Sequence, residues 1–438
     1  MSITVDLKYV EKFVSSQEFA ALSPRVLAAQ SVLNLGLGKG NNLLGWKERE
    51  GLITPNDLEK VLMCSEKIRK DSDAVVIIGT GGSYIGARAA IDWLKTPNYN
   101  LLTENTPKIF FLGTSISALS INEVLEQCEN KRLSVIAISK SGETLETAMT
   151  FRIMRQYMEK CYGEEAASRI YIVTNGEKST FKIMAEEKGY DIFVIPENVG
   201  GRFSIATCVG LLPMAIAGID IKKFLDGIEQ ASKEYCKVDA TQNPALIYAL
   251  LRFYLYQKGF ISELFCGWDD YMVSTLEWLR QLFAESEGKE RRGLFPSFAN
   301  YSGDLHSLGQ FVQQGPRVLF ETMLSVEKCG VDIDINTDTG DFDELNFLDG
   351  KTLEAINREA QKAVAGAHNE GGTPVIRIIL DNKSPEDFGS FIYFMEYSAS
   401  VSAYLLGVNP FDQPGVENYK KIMFGLLGKP GFDKPTIV

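Results

Sequence analysis

Short apolar runs rich in β-branched and aromatic residues recur through the first half of the chain: AVVIIGT at 74–80, KIFFLG at 108–113, SVIAIS at 134–139, RIYIVTN at 169–175 and DIFVIP at 191–196. Their hydrophobicity is continuous rather than alternating, which predicts strands covered on both faces. Between them lie segments with helical spacing, the clearest at 145–160, where Leu145, Met149, Ile153 and Tyr157 fall at i, i+4 steps. A β-α-β-α order of this kind predicts a parallel sheet with right-handed helical crossovers, an α/β fold. The second half is less regular. GFISELFC (259–266), RGLFPSFANY (292–301), VLFETMLSVE (318–327) and TPVIRIIL (373–380) are strand candidates. Helices over about 386–406 and 416–427 follow, the last stopped by Gly428-Lys429-Pro430-Gly431. No tandem sequence repeat and no long Gly/Ser/Pro linker interrupts the pattern, so the junction is placed at the polar stretch KEYCKVDATQNP, 233–244.

At 438 residues the chain has room for two or three domains. Its 45% apolar and 23% charged residues exclude a disordered or low-complexity protein. The net charge of −12 disfavours nucleic-acid partners and anionic membranes. An anionic ligand would have to be captured locally, against that field. Seven cysteines stand singly, without C-x-x-C spacing, which argues for a reducing compartment and against disulfides or zinc. The start MSITVDLKYV lacks the basic-then-apolar layout of a secretory signal, so a cytoplasmic location is expected. The uncharged stretch Cys208 to Ile219, interrupted by Pro213, is too short for a membrane span and predicts a buried helix. The acidic segment 332–350 lacks the ligand spacing of a calcium loop and predicts a solvated surface loop.

Two loops can carry chemistry. The first strand candidate runs into Gly79-Thr80-Gly81-Gly82-Ser83-Tyr84-Ile85-Gly86-Ala87-Arg88. Glycines let backbone N–H groups approach an anion, and a helix start adds a favourable dipole. A dinucleotide fingerprint fails because Tyr84 holds the third glycine position, and a Walker A loop fails because Ala87-Arg88 replaces Lys-Ser/Thr. A tight turn without ligand would use the same glycines. The third strand candidate ends in Ser139-Lys140-Ser141-Gly142-Glu143-Thr144, where three hydroxyls precede a helix. They suit a phosphate or, equally, a helix cap. Two such loops at the carboxyl ends of strands in one parallel sheet favour an anionic small molecule.

GTGGSYIGARAA, SKSGETLET, ENVGGRFSIATCVGLLP, FAESEGK, DLHSLGQ and GVNPFDQPGVENYKK together resemble the glucose-6-phosphate isomerase family, in its compact bacterial form, over about 70–430. The resemblance implies two sugar-isomerase (SIS) domains, each a parallel sheet flanked by helices. It divides the chain into an N-terminal helical segment (1–70), a first SIS domain with the phosphate loops (71–238) and a second with the catalytic glutamate and C-terminal helices (239–438). It implies interconversion of glucose 6-phosphate and fructose 6-phosphate through a cis-enediol, with no cofactor and no metal. It assigns Glu285 as the base, His306 to ring opening, Lys420 beside that histidine and Arg202 near the developing enediolate. Gly82, Ser83, Ser139, Lys140, Ser141, Thr144 and Gln413 match positions around substrate and phosphate. It also implies a homodimer with shared active sites. By the residues alone Glu285 and Glu287 cannot be ranked, and a Glu-x-Glu-Gly stretch reads as a solvated helix end. His368, in AGAHNEGG, reads as an exposed loop residue.

One departure is Glu143, where many members of the family carry threonine; it is expected to face solvent or the helix start. Two other readings are weighed. An aminosugar-phosphate isomerase of the aminotransferase type would need a glutaminase portion with an N-terminal nucleophilic cysteine. A sugar-phosphate-sensing SIS regulator would need a DNA-binding segment, and residues 1–70 show no strongly basic helix.

Overall fold

The structure is a computed structural model that describes residues 3–177, 179–237 and 242–434. Two five-stranded sheets organise it. The first comprises β2 (Ala74–Ile78), β3 (Lys108–Leu112), β4 (Leu133–Ile138), β5 (Ile170–Asn175) and β6 (Asp191–Ile195) in the order β3-β2-β4-β5-β6, all parallel. Its central strands β2 and β4 are buried at every position, whereas the edge strands β3 and β6 are only partly covered. Continuous hydrophobicity in the sequence therefore marks the sheet centre.

The second sheet holds β7 (Ser262–Gly267), β8 (Phe295–Asn300), β9 (Leu319–Lys328) and β10 (Val375–Asn382), mutually parallel, closed by β1 (Ile3–Asp6) antiparallel to β10. In the order β8-β7-β9-β10-β1, its four parallel strands repeat the winding of the first four of the other sheet, although no repeat shows in the sequence. The segment 1–70 is thus not wholly helical. It opens with a strand, fastened by Asp6 to Arg377 at 3.1 Å, before the helices Ser16–Asn34 and Pro55–Asp71. A four-residue strand whose partner lies at the far end of the chain leaves no periodic signal to read.

The junction expected at 233–244 falls between helices Ile221–Tyr235 and Pro244–Gln257, and its residues 238–241 lie outside the described residues. Helix Cys208–Ile216 is buried throughout, as its composition implies. Helix Pro385–Leu406 is buried from Asp387 to Ala403 and runs through a core that takes side chains from both sheets. No helix among the described residues is long and apolar enough to cross a membrane. The segment 332–350 lies on the surface and exposes Phe342 and Phe347. The helix expected at 145–160 spans Leu145–Tyr162, but the stripe it buries is Thr147, Thr150, Phe151, Met154 and Met158, with Ile153 exposed. Both stripes have helical spacing, so the period identifies the helix and packing chooses the face.

A buried ionic brace joins the second sheet to its helices. Arg252, fully buried, donates through Nε to Glu263 at 2.7 Å, through Nη2 to Glu287 at 3.1 Å and through Nη1 to Ser402 at 2.8 Å. Its guanidinium lies 4.0 Å from the Phe283 ring centroid. Glu263 also accepts from Tyr248 and Thr322, each at 2.6 Å. Glu287 is therefore a buried structural anion, not part of a solvated helix end. Removing the cation from between two buried carboxylates costs far more than a surface pair would. Arg252→Met is expected to lower unfolding stability by about 3–5 kcal/mol, measured by urea denaturation.

Candidate active site

In a parallel sheet, ligands bind outside the carboxyl ends of the strands where the strand order reverses, here between β2 and β4. Both candidate loops lie at that point. Gly81–Ser83 forms a single 3-10 turn after β2, and Ser139–Thr144 follows β4.

The centre of the site is Arg202, in the short 3-10 turn Gly201–Phe203 that follows β6. It is 2% exposed, yet each of its five N–H donors finds an acceptor. Nε donates to Ser286 Oγ at 3.0 Å. Nη1 donates to Glu285 Oε2 at 3.0 Å and to Gln413 Oε1 at 3.1 Å. Nη2 donates to the carbonyls of Pro410 at 2.5 Å and Asp412 at 3.1 Å. Burial pulls its pKa below the ordinary arginine value, and Glu285 and Asp412 draw it back only in part. Glu285 sits in the last turn of helix Val273–Glu287, with its other oxygen accepting from Gln281 Nε2 at 3.1 Å, one turn earlier. Its side chain remains 32% exposed, so the carboxylate is oriented by two donors and open to a ligand.

The glycine loop is fitted against the turn that carries Arg202 and against Gln281, the donor that orients Glu285. A Cβ on Gly82 would lie 2.1 Å from the Gly201 carbonyl oxygen, so only glycine lets the loop backbone lie on Gly201–Arg202. Gly81, at φ +54°, passes close to Gln281, where an added Cβ would be 2.9 Å from Nε2.

The second loop is shaped by its own hydroxyls. Ser139 Oγ accepts from Gly142 N–H at 3.0 Å, and Ser141 Oγ accepts from Glu143 N–H at 3.1 Å. Thr144 takes the N-cap position of helix Leu145–Tyr162 without a side-chain cap bond, so its hydroxyl stays available. Glu143 is exposed. Lys140 turns away from the loop mouth: its Nζ donates to the carbonyls of Glu197 at 2.8 Å and Val199 at 3.0 Å, strapping the segment that leads to Arg202. Burial lowers its pKa.

Of the residues singled out from sequence, the structure brings together Arg202, Glu285, Gln413 and Gly82. It does not bring His306 or Lys420 to them within one chain. His306 is exposed in the turn Gly303–His306 beyond β8. Lys420, on helix Glu417–Leu426, pairs with Glu417 at 2.9 Å. His368 is not an exposed loop residue. It is buried in helix Leu353–Glu370, with Nδ1 2.8 Å from Glu321 Oε2, because that wholly buried strand carboxylate needs partners. Sequence reasoning missed Gln281 and Lys289. The first could have been found at the i−4 position of Glu285 on the helix, and the second lies inside FAESEGK.

A cavity of about 640 Å³ opens at the corresponding edge of the second sheet, lined in part by Trp268, Asp269, Asp270, Asn300, Asp332 and Glu354. Burial pushes the Asp269 carboxyl up to about 6. Four acidic side chains line this edge against one cation, Arg358, which pairs with Glu354 at 3.3 Å, so it favours an anion less than the first edge does.

Parallel sheets of one winding, with a glycine loop and a hydroxyl loop at the switch point of the first, place the chain in the two-domain SIS class of α/β proteins. Residues 64–428 match the family described as phosphoglucose isomerase. A glucose-6-phosphate isomerase from Caldanaerobacter subterraneus subsp. tengcongensis is 44% identical over 436 residues, 99% of this chain and 97% of that protein. Another from Pediococcus pentosaceus is 44% identical across 99% of this chain and 98% of its own length. The crystal structure of a glucose-6-phosphate isomerase from Chlamydia trachomatis shares the fold with a TM-score of 0.82 at 19% identity, covering 98% of this chain and 88% of that one. The chain belongs to the phosphoglucose isomerase family.

Gly82→Ala tests the fit of loop to arginine. Displacement of Gly201–Arg202 is expected to lower turnover by about 10²-fold while the circular dichroism spectrum is kept. Wild-type turnover would show that the close approach is not needed.

Proposed function

We propose that the crevice between the two loops takes a hexose 6-phosphate and that Glu285 moves a proton between C2 and C1, interconverting glucose 6-phosphate and fructose 6-phosphate. The observation that carries this is the 3.0 Å pair of a half-open carboxylate and a buried guanidinium at the switch point of the first sheet. The Glu285 carboxylate accepts the C2 proton, the C2 electron pair becomes the C1=C2 bond, and negative charge moves onto O1. The O2–H proton passes to O1, and as O2 becomes the carbonyl the C1=C2 electron pair takes the proton back from Glu285 at C1. As Glu285 takes up the proton it loses the charge that faces Arg202, and the developing enediolate would bring a negative charge close to the same buried guanidinium. The hydroxyls of Ser139, Ser141 and Thr144 and the backbone around Gly82 and Ser83 would receive the phosphate, and Gln413 a sugar hydroxyl. Lys140 would act behind that loop through its carbonyl strap.

Ring opening needs a proton for the ring oxygen, a task that suits an imidazole near neutral pH. His306 lies apart from Glu285 within one chain, which supports a homodimer in which each site takes His306 of the partner subunit, with Lys420 beside it. A cytoplasmic setting fits seven free cysteines.

Glu285→Gln keeps shape and removes the base. Its turnover should fall by about 10²-fold or more with sugar-phosphate binding kept, whereas near-normal turnover would contradict the assignment. Subunits carrying His306→Ala and Glu285→Gln, each nearly inactive alone, should regain about a quarter of wild-type activity after co-refolding in equal amounts, since half the dimers then hold one intact site. No recovery despite demonstrated heterodimers would place both residues in one subunit.

A further inference from the structure

Lys289 follows the helix that carries Glu285, and its ammonium is not offered to the crevice. The side chain is 9% exposed and points across to the loop 409–413. It donates to the carbonyl of Asn409, to the carbonyl of Ser286 at 3.2 Å and to Asp412 Oδ1 at 3.1 Å. The loop is thus folded around two buried cations. Arg202 takes the carbonyls of Pro410 and Asp412 and the amide oxygen of Gln413, while Lys289 takes the carbonyl of Asn409 and the Asp412 carboxylate.

The backbone beyond Lys289 is strained in a way that fixes its direction. Lys289–Arg292 closes a tight turn, Arg292 N–H to Lys289 carbonyl at 2.8 Å, in which Glu290 (φ 52°) and Arg291 (φ 59°) both adopt the left-handed conformation. Such turns are ordinarily made with Asn and Gly, and side chains kept there mark a position that the surroundings over-determine. Arg292 in turn donates to the Leu406 carbonyl at 2.7 Å, tying the turn to the end of the helix that leads into the same loop.

We propose that Lys289 is a positioning residue for the isomerisation, holding the loop 409–413 in the shape that presents Gln413 and the backbone acceptors of Arg202, and so setting the guanidinium against Glu285. This rests on the reading of Arg202 and Glu285 given above. The charged groups that face the ammonium are Arg202 from the turn after β6, Glu285 from its own helix and Asp412 from the loop. Burial first, and Arg202 second, push its pKa down to about 8, against the pull of Asp412 and Glu285. On deprotonation the amine keeps two N–H groups for three acceptors, and Asp412 loses its counter-ion. Turnover should then decline as pH rises through about 8. The sign for stability is opposite. The unfolded chain keeps this proton up to the ordinary lysine value of 10.5, so this group raises stability between those two values, and a loss of turnover there is not unfolding.

The test compares kcat and KM for fructose 6-phosphate across pH 6.5–9.5 in the wild-type enzyme, Lys289→Arg and Lys289→Met, with thermal melts alongside. The wild type should lose kcat above pH about 8 with KM little changed. Lys289→Arg, a cation that does not deprotonate, should keep kcat to within about fivefold and lose that alkaline limb. Lys289→Met should lower kcat at pH 7 by about tenfold or more, with KM within about threefold and no limb. An undiminished kcat in Lys289→Met, or the same limb in Lys289→Arg, overturns the proposal. If Lys289→Met fails to fold, the limb in Lys289→Arg decides alone. Failure of the underlying reading appears elsewhere, as full turnover in Glu285→Gln.

Discussion

A guanidinium taken out of water must find an acceptor for every N–H, and the site is organised around meeting that demand for Arg202. Its acceptors come from three places: the end of helix Val273–Glu287, the backbone of 410–412 and the amide of Gln413. Satisfying it draws the C-terminal part of the chain over the first sheet and fixes the Glu285 carboxylate at one corner of the fork. The glycine loop can then lie directly on the Arg202 backbone. The glycine loop, the Glu285 carboxylate and the guanidinium share one crevice because a single buried charge ties them together.

The two buried arginines show how similar burial serves different ends. Burial pulls Arg252 down, but Glu263 and Glu287 more than compensate and hold it above its ordinary value. It is a closed structural unit. Arg202 is hydrogen-bonded to one carboxylate and otherwise to neutral oxygens, and even with Asp412 nearby it stays below its ordinary value. Under the proposed function, that difference leaves Arg202 the cation beside which a developing enediolate could be held, while Arg252 stays a structural one. The helix between them carries a carboxylate for each, two residues apart, with Glu287 facing the core and Glu285 the crevice.

Much of this was legible in the sequence. Unbroken runs such as AVVII and the hydroxyls of SKSGET located the central strands and both loops, because continuous burial and helix starts write themselves into local order. The glutamate pair did not separate. Which of Glu285 and Glu287 meets solvent depends on Arg252 and Arg202, residues whose approach only the fold creates. His368 was misread for the same reason: its partner Glu321 lies on a strand 47 residues away. β1 was missed because four residues pairing with the far end of the chain carry no periodicity. The repeated winding of the four parallel strands in each sheet is likewise carried by topology.

The central claim is that a carboxylate at position 285 carries the hydrogen between C2 and C1 as a proton. Isomerisation of glucose 6-phosphate in D₂O, with the product analysed by NMR or mass spectrometry, tests it most directly. A proton held on a half-open carboxyl group exchanges with solvent before it is returned, so a measurable fraction of the fructose 6-phosphate should carry deuterium at C1. Full turnover with no solvent deuterium at C1 under any condition would mean that hydrogen passes directly between the carbons, and that Glu285 is not the carrier.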